Sequence, residues 1–115
     1  MKTYEIINIK KDMPNFEYAL FLMESEIEAC KAMGIPVLII VHGYGSSGAG
    51  GVIKKEVKED LIKLKKFKKI KNFVEGEKCG LSNEVFAEMC SLYPDLLICD
   101  QLENLNSGVT VVWIK

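Results

Sequence analysis

Arginine is missing from this chain of 115 residues, and all 15 of its basic side chains are lysine. Lysine is a compact point charge without the planar fork that grips a base edge or a phosphate at two points, so contact with phosphate backbone is favoured over bidentate reading of sequence. Histidine occurs once, and the four cysteines, Cys30, Cys79, Cys90 and Cys99, show neither CxxC spacing nor paired histidines. No metal site and no disulfide framework is indicated; the thiols are expected to be reduced and mostly buried, as in a cytosolic protein. No apolar run approaches the length of a bilayer span. The layout of Lys2, Glu5, Lys10, Lys11 and Asp12 does not suit a secretory signal, so a cytoplasmic protein with no membrane partner is expected. Repeats and low-complexity segments are absent too. With 49% hydrophobic residues the chain has material for one core and little for another, and 1–115 reads as a single domain.

What stands out against these absences is residues 37–51, VLIIVHGYGSSGAGG. An apolar run bounded by glycine suits a strand buried in a sheet, with His42 at its carboxyl edge, where open α/β sheets place ligands. Gly43, Gly45, Gly48, Gly50 and Gly51 follow, a composition that permits positive φ and brings bare backbone N–H groups close to an anion. A phosphate-bearing partner is the first expectation. Next comes a polarised charge distribution. Residues 54–71 hold nine lysines against Glu56, Glu59 and Asp60, a net +6, which leaves −7 for the rest of a chain of net charge −1. Within a Debye length of about 8–10 Å the local charge governs attraction, so the near-neutral total hides a basic patch.

Tyr4 to Ile9 reads as a strand. Asn15 is a cap for an amphipathic helix from Phe16 to Met33, in which Phe16, Leu20, Met23, Ile27 and Cys30 recur at helical spacing and Gly34 and Pro36 end the run. A second helix is expected from about Val52 to Phe67, with Ile53, Val57, Leu61 and Leu64 as its apolar stripe. Ile70 to Glu75 and Gly108 to Ile114 read as strands, Ser82 to Leu92 as a short helix capped by Ser82 or Asn83, and Leu96 to Asp100 as an extra strand. The class is α/β: one mixed β-sheet covered by helices, in the order β-α-β-α-β-β, with a helical segment before the last strand. Two nucleotide-binding readings fail. Neither Gly48 nor Gly50 is followed by the lysine and hydroxyl of a P-loop, and the GxGxxG of residues 43–48 stands in a chain too short for a full dinucleotide domain, without the acidic residue such a fold carries about 20 residues on.

The order of elements, the motif His42-Gly43-Tyr44-Gly45 after a buried strand, and the closing Ser107-Gly108-Val109-Thr110-Val111 resemble the small MutS-related (Smr) domain over most of residues 4–75 and again over 106–115. The resemblance implies a fold like the carboxyl domain of translation initiation factor 3, and binding or cleavage of DNA or RNA. Two departures accompany it. Asn8 stands where nuclease members of the family carry an aspartate in their first motif, with Lys10 near the basic position; an amide cannot act as a general base and binds metal less well than a carboxylate. Residues 76–105 form an insertion where the family has a short link, a segment suited to cover the sheet, extend an edge or meet a protein partner.

Three functions follow, in this order. The first is a nucleic-acid-binding domain that contacts phosphates through Gly43, Tyr44, Gly45 and Ser46 and through Lys54, Lys55 and Lys58 of the basic helix. The second is an endonuclease in which His42 acts as acid or base while loop amides stabilise the charge on the scissile phosphate, with a divalent metal as the one cofactor such chemistry would bring. The third is a protein-interaction or small-anion-binding domain that keeps the fold alone. Bland readings stand beside these: a lone histidine ending a strand is often a structural hydrogen-bonding residue, and a lysine run is commonly a solvated helix face.

Overall fold

A computed structural model describes residues 2–10, 15–43 and 48–115, with the backbone alone for 48–52. The strands β1 (Tyr4–Asn8), β2 (Val37–Val41), β3 (Asn72–Glu75) and β4 (Val109–Trp113) and the helices α1 (Phe16–Met33), α2 (Gly48–Lys66) and α3 (Glu84–Leu92) follow the expected order. They build one mixed sheet in the order β1-β2-β4-β3, with β1 parallel to β2 and β4 antiparallel to both its neighbours. The apolar run of β2 is explained by its place inside this sheet. Leu38 and Ile40 point to one face, where they meet Ala19, Met23 and Ile27 of α1 and Ile53, Val57 and Leu61 of α2. Val37 and Ile39 point to the other, where they join Val111 and Trp113 of β4, Phe86 and Met89 of α3, and Leu96. A strand covered on both faces has no polar side to alternate with.

Local chemistry sets the helix limits. The Asn15 side chain accepts from the Tyr18 N–H at the start of α1, and Gly34, in the left-handed region at φ 73°, ends it. Asn83 caps α3 in the same way through the Phe86 N–H. Two expectations need correction. α2 begins at Gly48, not near Val52, so Gly48, Gly50 and Gly51 belong to its first turns and not to a long open loop. Leu96 to Asp100 is not a strand: residues 94–98 and 100–105 form 3-10 turns. Leu96, Cys99 and Leu102 are buried while Leu97 and Ile98 are exposed, a period of three that suits the 3-10 geometry and does not suit a strand.

Segment 76–105 therefore covers the second face of the sheet. Its anchor is Gly76, where a Cβ would collide with the Asn106 carbonyl oxygen and lie 2.8 Å from Val109 Cγ2. Only glycine lets the chain leave β3 so close to the entry of β4.

Candidate nucleic-acid interface

The parallel register that pairs Asn8 with Val41 brings the carboxyl ends of β1 and β2 together. One residue beyond, His42 continues the side of β2 that carries Leu38 and Ile40. It is 0% exposed. Nδ1 donates to the Gly43 carbonyl oxygen at 2.8 Å, which fixes the tautomer and leaves Nε2 to accept from the Thr110 hydroxyl, also at 2.8 Å. Burial holds the imidazole below its usual pKa, opposed by the Gly43 bond and assisted by the positive charge of Lys54. His42 is thus a neutral strut between β2 and β4 with both ring nitrogens engaged.

Gly43 is buried, at φ 88°, and its N–H, like that of His42, donates to the Gly108 carbonyl at 3.0 Å. That amide is used within the fold and does not face an anion, contrary to the expectation for a loop of bare donors. A Cβ here would lie 3.4 Å from Lys10 Cδ, so the Lys10 stem packs over the glycine. Asn8 is exposed, and its Oδ1 accepts from the Lys10 N–H at 3.0 Å. Tyr44, Gly45 and Ser46 lie outside the described residues.

The lysines expected to act together are divided by their surroundings. Lys54 turns inward, with Nζ 3.2 Å from Glu77 Oε2 and 2.9 Å from the Ser107 carbonyl oxygen. Lys54 and hydrogen bonding hold the Glu77 carboxyl below its ordinary pKa against the opposing effect of burial, and its Oε1 is buried without a partner. Lys58 is half exposed and lies 3.4 Å from Glu75, which Lys78 also approaches at 3.7 Å. Lys55 is exposed. Farther along, Lys63, Lys65, Lys66, Lys68, Lys69 and Lys71 are exposed as well, whereas Asp60, one of the three acids of the segment, is buried. Burial and the neighbouring Glu24 push its carboxyl up to about 7. The basic surface is accordingly more positive than its formal count.

The Smr domain model matches residues 13–80, more than half of the chain. The chain belongs to the Smr domain family. Smr domains in general bind or cleave nucleic acids. Among solved structures, the crystal structure of the Smr domain of Thermus thermophilus MutS2 superposes with a TM-score of 0.60 at 17% identity, over 96% of this chain and 98% of that one. At that identity the likeness is one of fold. No curated protein sequence matches the chain. Sequence reasoning singled out His42 and Lys10, and it quoted Ser107 and Thr110 as part of the closing motif without joining them to His42 and Lys54; Glu77 it did not single out. The pairing had no local signal: these residues are far apart in sequence, and only the β4 register and the sharp exit from β3 bring them near. Among the described residues no helix is long and apolar enough to cross a membrane, and no cluster of three or more His, Cys, Asp or Glu side chains is placed to hold a metal.

Proposed function

We propose that this Smr domain binds the phosphate backbone of nucleic acid through the exposed lysines of α2 and the turn after it. One observation carries the reading: from Lys55 to Lys71 every lysine of the helix and turn is exposed, while Asp60, one of the three acids of the segment, is buried with its carboxyl pushed up to about 7. Lys55 and Lys58 stay in the interface as expected from sequence, and Lys54 is reassigned to hold Glu77 and Ser107 in place. Such contacts release counterions and depend on backbone charge, so affinity falls with salt and varies little with sequence. Cleavage ranks second. A buried, neutral histidine with both nitrogens engaged is poorly placed to move a proton, and Asn8 offers no carboxylate.

The test is an anisotropy titration with labelled RNA and DNA oligonucleotides across a series of salt concentrations, with product analysis of the same samples with and without divalent metal. The parent should bind all sequences alike. Lys55→Gln with Lys58→Gln should lower the slope of log affinity against log salt by about 0.7–0.9 per lost contact, whereas Lys54→Gln should lower the melting temperature more than the slope. A parent that binds neither RNA nor DNA overturns the reading. Turnover that needs His42 would instead favour the endonuclease.

A further inference from the structure

β3 is an edge strand, and along its unpaired side runs an open groove of about 540 Å3. One wall is a single face of α2: Ile62 follows Lys58 by four residues, and Lys65 and Lys66 follow Ile62 by three and four. β3 supplies the floor, Phe73 included, and Lys78 lines the groove as well. The one acid in the groove, Glu75, is mostly buried and lies between Lys58 and Lys78, so the rim remains positive. Ile62 is 51% exposed although it is surrounded by lysines. Lys65 also lines a second concavity of about 490 Å3 with Lys68, Lys71 and Lys115, which extends the basic rim beyond the groove.

We infer that this groove is a track for single-stranded nucleic acid, with phosphates on the lysine rim and base faces against Phe73 and Ile62; the inference rests on the nucleic-acid reading above. Charge complementarity selects a polyanion. The apolar floor then distinguishes among polyanions, because a single strand offers unstacked base faces to an aromatic or apolar surface and a duplex hides them. The volume lies within the range of about 300–1,000 Å3 that encloses small ligands, enough for nucleotide units but not for the side of a duplex. An acidic peptide would satisfy the lysines and could pair with the free edge of β3, but it has no use for a floor of this kind.

The experiment compares a labelled oligo(U) 15-mer and a blunt RNA duplex of equal length, using the intact chain and three variants. Lys65→Gln with Lys66→Gln should reduce the single-strand salt slope by about 1.4, at roughly 0.7 per phosphate contact. Phe73→Leu should weaken oligo(U) about tenfold with the slope unchanged. Because Phe73 also packs on the core, exposed Ile62→Gln provides a second measurement with little risk to folding, and it should weaken oligo(U) several-fold while leaving duplex affinity untouched. Parent protein that binds oligo(U) while all three variants bind it equally well overturns the groove and leaves the broader reading intact. So does preference for the duplex, or oligoglutamate displacing oligo(U) at equal charge concentration. Absence of any binding by the parent is the separate failure of the broader reading.

Discussion

At the scale of the residue, His42 shows how a motif position can be legible while its role is not. The sequence placed a histidine at the end of a buried strand, and that is where it stands. Its decisive partner, Thr110, is 68 residues away and meets it only because β4 lies antiparallel to β2 with Ile40 opposite Thr110. No periodicity within residues 37–51 contains that fact. The strut has a measurable worth. Thr110→Val keeps the shape and leaves Nε2 a buried acceptor without a donor, which should cost about 1–3 kcal/mol and lower the melting temperature by roughly 5–10 °C. Thr110→Ser retains the hydroxyl and should recover much of the loss. Melts of the two variants beside the parent check this, and a valine variant as stable as the parent would remove the strut. The lowered pKa of His42 sets the sign of its own pH effect: its contribution is present above about 6.5 and is lost as pH falls through the folded-state value.

At the scale of the element, legibility followed the strength of the local signal. α1 was readable from its cap, its stripe and its glycine stop, and β2 from its apolar run between glycines. The 3-10 turns of residues 94–105 were not, because a period of three over so few residues looks like a short apolar strand. The start of α2 was misplaced for a different reason: Gly48, Gly50 and Gly51 disfavour helix by about 1 kcal/mol each relative to alanine, yet the buried face from Ile53 onward carries the helix back through them. The other end of α2 offers a prediction. The chain leaves the helix through Lys68 at φ 61°, with the Lys69 N–H donating to the Leu64 carbonyl at 2.8 Å, a termination that ordinarily employs glycine. Lys68 is exposed, so Lys68→Gly relieves the left-handed conformation without removing a buried contact. Denaturant unfolding should show a gain of about 0.5–1 kcal/mol. A loss would mean that the lysine stem contributes packing that outweighs the backbone.

At the scale of the whole molecule, the sheet separates two cores, one under α1 and α2 and one under residues 76–105, and the surfaces follow that division. The basic helix lies over the first core, and the same packing that presents its lysines to solvent buries Asp60 against α1. There Asp60 meets Glu24, with Glu56 adding to the negative field and Lys63 opposing it. Desolvation comes first among the causes that raise Asp60 to about 7, and its Oδ2 is buried without a partner, so the folded protein holds a proton that the unfolded chain releases near pH 4. For a carboxyl raised on folding, the contribution to stability is fully present below about pH 4 and is lost as pH rises through about 7. Asp60→Asn replaces that proton with a permanent amide donor toward Glu24. Urea unfolding at pH 5 and pH 8 should therefore show the parent losing stability across the interval relative to the variant, with the variant the more stable protein at pH 8. His42 titrates identically in both and drops out of the difference. Parallel stabilities at the two pH values would show that Asp60 is ionised in the folded state, and the positive surface above it would then be smaller by one charge.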